Sequence, residues 1–264
     1  MTDLLQAALL GIIEGLTEFL PVSSTGHLLI AEHWLGARSE LFNVAIQAGA
    51  ILAAVAVFWP RLLQLAFGLK ARDNRDYLAK LIFAFVITAA GGLLAKKLGA
   101  ELPKTVAPIA GALIIGGLII LLVEWWVAQR AVVTEVTWSV AFWVGSCQIL
   151  AGVFPGTSRS AATIFAAMLA GLTSRPAASE FAFLVGIPTM LAATAYEFLK
   201  TRDMSVAGAA IPEDWRAFAV ACIVSAVVAF IAVKWLMRYV QTHRFTLFAW
   251  YRIVAGIVLL LVVR

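Results

Sequence analysis

Charge is what this chain has least of. Asp, Glu, Lys and Arg together make up 13% of its 264 residues, against about a quarter in an ordinary soluble domain. That is too little polar surface to wrap a water-soluble particle of this size, which excludes a soluble globular protein. Cysteine is nearly absent as well. Cys147 and Cys222 both lie in apolar stretches, with no CxxC spacing and no Cys/His cluster, so neither a disulfide framework nor a zinc site is expected. The first apolar run has no basic segment before it, so a cleaved signal peptide is not expected and the first helix should stay in the mature protein. The net charge of +5 fits positive loops between membrane spans better than a nucleic-acid surface.

What is abundant is hydrophobicity, at 62% of residues with a mean hydropathy of +0.95. Together with the missing charge it predicts a polytopic membrane protein whose outer surface faces lipid. Six stretches are long and apolar enough for a spanning helix, at about 41–59, 78–95, 107–128, 178–199, 216–237 and 246–263. Charge concentrates between them, in "RDNRDY" (72–77), "KKLGAELPK" (96–104), "KTRDMSVAGAAIPEDW" (200–215) and "RYVQTHRF" (238–245). Trp34, Trp59, Trp125, Trp126 and Trp138 fall near expected helix ends, where interfacial belts form. The basic loop residues divide eight to seven between the two sides, which leaves orientation undecided. Their density at 70–75 leans toward a cytoplasmic 60–77 loop with the termini outside.

Two further apolar regions do not read as single spans. Residues 4–20 and 24–35 are parted by Pro21 and a run of hydroxyl residues, and 137–153 and 160–171 are parted by "FPGTSRS" (154–160). A broken backbone at membrane depth is tolerated only when buried in protein or lining a wet cavity. Each region is therefore predicted to be a helix–break–helix hairpin that enters and leaves on one side. Laid over each other at an offset of 134, "EGLTEFLPVSSTG" (14–26) and "QILAGVFPGTSRS" (148–160) align Pro21 with Pro155, Ser23 with Thr157, Ser24 with Ser158 and Glu14 with Gln148. A second similarity follows in the same order, between residues 39–54 and 179–193. The predicted fold is thus an all-α membrane protein of six transmembrane helices and two re-entrant hairpins. It divides into repeats at about 1–128 and 129–264, and the odd number of spans inverts the second copy.

The polar residues in the breaks carry the chemistry. Glu14 and Glu18 share a helix face, and two buried carboxylates that close require a divalent cation, a shared proton or an arginine. A metal held by carboxylates and phosphates would be Mg²⁺ or Ca²⁺. Ser23, Ser24 and Thr25 exceed what one N-cap needs. At a helix N-terminus they offer an anion site, and His27, three residues after Ser24, is a candidate acid/base partner. Arg159 is the only charge between Glu135 and Arg175. In a mid-membrane break it needs an anion, either Glu14, Glu18 or a bound phosphate. Thr157, Ser158, Ser160 and Thr163 surround it with donors. Asn43, Gln47 and Gln148 read as helix–helix hydrogen-bond partners, Glu180 as a helix cap and Glu124 as an interfacial residue.

With "EGLTEFLPVSSTGH" and "PGTSRSAAT" both intact, the chain resembles the undecaprenyl pyrophosphate phosphatase family, also called bacitracin-resistance proteins. The resemblance implies a multi-pass enzyme of the bacterial inner membrane that removes the terminal phosphate of a long-chain polyprenyl pyrophosphate, with a site facing the periplasm. It implies an acidic motif at Glu14 and Glu18, a Ser/His element at Ser23, Ser24, Thr25 and His27, a phosphate-binding motif at Ser158, Arg159, Ser160 and Thr163, and dependence on a divalent cation. The attacking group would be Ser24, or water activated by Glu18 or His27; Ser24 sits beside both bases. The expected partners are the lipid substrate and the membrane, with room for a homodimer and no nucleic acid. A lipid-phosphate flippase using the same midplane anion site is the competing expectation, because inverted repeats with broken helices also build carriers.

Overall fold

The computed structural model describes residues 3–100, 105–206 and 214–262, and among them it contains helices and no strands. The helices are α1 (Asp3–Thr17), α2 (Ser24–Leu35), α3 (Glu40–Val57), α4 (Trp59–Phe67), α5 (Arg72–Lys97), α6 (Val106–Val127), α7 (Trp138–Val153), α8 (Arg159–Leu169), α9 (Arg175–Val206), α10 (Trp215–Thr242) and α11 (Thr246–Val262). By length and composition four of these, α5, α6, α9 and α10, can cross a bilayer, or five if α3 and α4 form one bent span. At 17 residues, α11 stands at the lower end of spanning length. Large apolar side chains such as Leu52, Leu122, Ile223 and Ile231 point outward, as a lipid-facing surface requires. Trp34, Trp59, Trp125 and Trp138 are exposed too.

Both interrupted regions are helix pairs broken where the sequence places the polar run, α1–α2 and α7–α8. α1 packs chiefly on α10, and α7 packs on α5 and α8. The two long contacts are close because a glycine sits at each crossing. A Cβ on Gly11 would stand 2.5 Å from the Ala221 carbonyl oxygen, and one on Gly145 would stand 2.6 Å from that of Ala84. The main apolar core lies around the breaks, where Phe19 and Phe58 both pack on the Phe183 ring.

Helices extend further than hydropathy predicts. The expected 60–77 loop is largely helical: α4 occupies Trp59–Phe67 at a bend of 67° from α3, and "RDNRDY" forms the first turns of α5. Pro60 lies in the first turn of α4, where a missing N–H costs nothing and a fixed φ favours the helix. It opens a helix rather than ending one. Lys96 and Lys97 close α5, residues 200–206 continue α9, and 238–242 continue α10. Charged residues in terminal turns are good helix formers once the apolar stretch is left behind. The remainder of two expected loops, 101–104 and 207–213, lies outside the described residues.

Two acidic residues read as peripheral are structural ties. Glu124 is buried and receives Arg175 at 2.5, 2.9 and 3.2 Å, plus the Phe245 N–H at 2.9 Å. It thereby joins α6, α9 and the entry to α11. Glu180 lies within α9 and accepts from Arg61 of α4 at 3.1 Å, so it pairs two helices rather than capping one. Asn43 and Gln148 make the expected interhelical bonds, to Glu32 at 2.7 Å and from Thr189 at 3.1 Å.

Candidate active site

Each break ends on a serine in a strained conformation. Ser23 caps α2 with φ 77° and accepts from the Gly26 N–H at 3.4 Å; Ser158 caps α8 with φ 65° and accepts from the Ala161 N–H at 3.3 Å. They are the only non-glycine residues with positive φ among those described. Such a backbone costs of order 1–3 kcal/mol and persists only where its surroundings over-determine it. The shared capping role sets the two breaks in a register one residue off their sequence alignment. Ser23 corresponds to Ser158, not to Thr157, because break one (18–23) is one residue longer than break two (154–158). As a result Ser24 and Arg159 occupy the same place, the first residue of the helix that follows each break.

Both of those residues meet one carboxylate. Glu18 lies at the start of break one and is 7% exposed. Its Oε2 accepts the Ser24 hydroxyl at 2.5 Å, and its Oε1 accepts from Arg159 Nη2. Charge-assisted bonds of this kind are about twice as strong as neutral ones. Ser160 adds a second tie, donating to the Leu20 carbonyl of break one at 3.0 Å while its Oγ lies 3.1 Å from that of Ser158.

Beside this junction is a cavity of about 610 Å³. It is lined by the polar Glu18, Ser23, Ser24, Thr25, Ser158 and Arg159, by Lys96 and Glu197, and by apolar residues that include Phe85, Ala89, Ile149, Met190 and Ala193, with Gly92 and Gly152 in the same wall. Nothing lies within 4 Å of where a Cβ on Gly92 or Gly152 would be. Gln47, expected only as a helix–helix partner, also lines the cavity. In α9 the cavity wall follows Pro188, which cannot donate to the helix ladder; Thr189 there bonds to both Val185 and Gln148.

Five expected site residues are not on this wall. Thr157 turns its carbonyl toward Arg252. Ser160 ties the breaks together, and Thr163 donates back to the Arg159 carbonyl at 2.8 Å, a common use of a helical threonine. Glu14 is fully buried and neither of its carboxylate oxygens has a hydrogen-bond partner.

His27 departs furthest from expectation. Its Nδ1 lies 2.7 Å from the Ser23 carbonyl and its Nε2 lies 2.5 Å from the Tyr251 hydroxyl, with the two rings stacked. A carbonyl only accepts, so Nδ1 carries the hydrogen and Nε2 accepts from the tyrosine. Three-residue spacing from Ser24 does not make the two face each other here. The imidazole folds back on its own cap carbonyl, and Ser24 turns to Glu18.

Among the described residues no three His, Cys, Asp or Glu gather as a metal site. The donor set instead suits a hard cation shared with phosphate, which takes only one or two protein carboxylates. The two unpartnered oxygens of Glu14, next in the helix turn to Glu18, are the group such an ion would satisfy.

Tyr251 and Arg252 were not singled out from the sequence. The signal for Arg252 was present: a lone arginine inside "TLFAWYRIVAGIVLLLV" invites the same question as Arg159.

An apolar helical chain that draws a carboxylate, a hydroxyl and an arginine together at two helix breaks defines a class: multi-pass membrane proteins with a polar junction where two broken helices meet. The chain belongs to the family described as bacitracin resistance protein BacA, whose match spans residues 7–258. It is 63% identical over 259 residues to the undecaprenyl-diphosphatase of Rhizobium etli (strain CIAT 652), covering 98% of this chain and 96% of that one. It is 55% identical over 261 residues to the undecaprenyl-diphosphatase of Xanthomonas oryzae pv. oryzae (strain PXO99A), covering 99% and 97%.

Proposed function

We propose that this chain is a membrane phosphatase that converts undecaprenyl diphosphate to undecaprenyl phosphate and inorganic phosphate, renewing a lipid carrier for cell-wall synthesis. The observation that carries this reading is the Glu18 carboxylate, bonded at once to the Ser24 hydroxyl and the Arg159 guanidinium. A carrier moving an unchanged lipid needs an anion site but has no use for a hydroxyl bonded to a base, so hydrolysis is favoured over flipping.

In the proposed reaction the Ser24 oxygen attacks the terminal phosphorus and its proton passes to Glu18 Oε2. The anhydride P–O bond breaks, and Glu18 passes that proton to the departing undecaprenyl phosphate. Water then attacks the phosphate on Ser24, Glu18 takes the water's proton and gives it to the Ser24 oxygen as the P–O bond to serine breaks, which restores both groups. Arg159 holds the transferring group by bidentate hydrogen bonds and stabilises charge as it develops. Ser23, Thr25 and Ser158 supply further polar contacts to the diphosphate. Thr157, Ser160 and Thr163 serve the shape of break two, and His27 the shape of the Ser23 turn.

Glu14 and Glu18 would hold a divalent cation, Mg²⁺ or Ca²⁺, together with the phosphates; when bound it supplies neutralising charge. The apolar residues in the cavity wall suit the first isoprene units of the lipid. We infer for the enzyme the bacterial inner membrane, with this site toward the periplasm. We read the fold as two inverted repeats with six spans, supported by the paired crossings at Gly11 and Gly145 and the paired caps at Ser23 and Ser158.

Purified protein should release phosphate from undecaprenyl diphosphate, and EDTA should stop the release until Mg²⁺ or Ca²⁺ is returned. No release with either ion present would defeat the proposal.

A further inference from the structure

Arg252 belongs to α11, distant in sequence from both breaks, and it is fully buried. All of the hydrogen bonds recorded for its guanidinium go to main-chain carbonyls. Nη1 donates to Pro21 of break one at 3.2 Å; Nη2 donates to Gly156 and Thr157 of break two, both at 3.2 Å, and to Ala112 of α6 at 3.0 Å. Nε reaches Leu113 of α6 at 3.4 Å. Burying a charge is costly, so the arrangement needs a reason beyond filling space. The carbonyls at the breaks supply one. Where a proline interrupts a helix, backbone acceptors lose their N–H partners and must find others in a membrane. One planar, rigid group with a fork of donors satisfies acceptors from both breaks together.

Its seat is made by a glycine. A Cβ on Gly116 would stand 2.2 Å from Arg252 Nη2 and 2.8 Å from Cζ, so no larger residue fits at 116 while the guanidinium stays in place.

We propose that Arg252, seated by Gly116, is a positioning residue for the phosphatase reaction. It fixes the two breaks against each other, and so sets how Glu18 and Ser24 on one side face Arg159 on the other. This rests on the function proposed above. The role is distinct from phosphate binding, because the side chain is fully buried and is not among the residues that line the cavity.

Turnover, KM and thermal midpoint in detergent should be measured for Arg252→Lys, Arg252→Met, Gly116→Ala and the Gly116→Ala/Arg252→Met double variant. Arg252→Lys should lower kcat by about 100-fold, the scale expected for a misplacement of about 1 Å at the reacting groups, with KM changed little. Gly116→Ala should do the same while keeping the charge. In the Arg252→Met background, Gly116→Ala should cost nothing further in kcat or midpoint, since the space is already vacated. Arg252→Lys combined with Arg159→Lys should lose less than the product of the single losses, because both act through the same placement of Arg159.

Wild-type kcat in Arg252→Met would overturn the proposal. So would an undiminished effect of Gly116→Ala in that background. A lowered midpoint with normal kcat per folded molecule would also overturn it, leaving a structural role alone. Failure of the unmodified protein to hydrolyse the lipid would instead strike the functional reading. The midpoint cycle of Gly116 and Arg252 would still report on the seat.

Discussion

Glu18 is the residue on which the candidate site turns. Replacing its partner Arg159 with lysine keeps the charge and removes the fork. A hydrogen bond to a charged group contributes about 1.5–3 kcal/mol, so Arg159→Lys should reduce phosphate release by about 10- to 100-fold at saturating substrate. The covalent route makes its own prediction. Ser24→Ala should lose turnover, and rapid quenching with labelled diphosphate should trap phosphate on Ser24; full activity in Ser24→Ala would leave water as the attacking group. At this scale the two motifs were legible because charge and hydroxyls are rare in the chain. His27 and Thr163 were harder to place. Spacing locates residues on a face, but near a cap the side chains turn back to local carbonyls, and His27 does so toward Ser23. Arg252 escaped notice because its surroundings read so plainly as a span.

At the level of elements, the caps and crossings can be tested by single substitutions. At φ 65° Ser158 bears a left-handed penalty of about 1–2 kcal/mol, whereas giving up a serine cap to glycine costs only a few tenths. Ser158→Gly should therefore raise the thermal midpoint, and Ser158→Ala, which loses the cap and keeps the strain, should lower it. The helix crossings behave differently. Gly145→Ala forces α7 away from α5 and should cost about 1–3 kcal/mol of stability, but Gly111→Ala, with open space around its Cβ, should cost nothing. Gly92→Leu puts a side chain into the cavity; we expect kcat/KM to fall about tenfold or more for the C55 diphosphate and for farnesyl diphosphate alike, since both carry the first isoprene units. Hairpins were legible as elements because a proline and polar run cannot sit in lipid. α4 was not, since Pro60 after a long apolar stretch reads as a stop, and only the packing of α4 against α3 and α5 shows that it starts a helix.

For the whole molecule, hydropathy indicated the class while leaving orientation open, because the basic residues divide almost evenly between the two sides. The proposed duplication rests on a weak offset in sequence, and the two caps at Ser23 and Ser158 shift its register at the breaks by one residue, which only the placed caps reveal. Removal of the proposed cation tests the assembly as a unit. EDTA should abolish hydrolysis, and Glu14→Gln should raise the concentration of Mg²⁺ or Ca²⁺ needed to restore it.

The pairing of Arg159 with Glu18 has a last consequence. In the function proposed above, the Glu18 carboxylate takes the place on Arg159 that a phosphate oxygen would need, so it would compete with the substrate for the guanidinium. On that reading an arriving diphosphate would have to displace it, and in doing so would undo a clasp between the two breaks. Glu18→Gln, which weakens the competition and the clasp alike, should therefore bind a non-hydrolysable prenyl diphosphate more tightly than the unmodified protein, melt at a lower temperature, and turn over almost nothing. Equal or weaker binding by isothermal calorimetry would show that the carboxylate is no rival for the guanidinium.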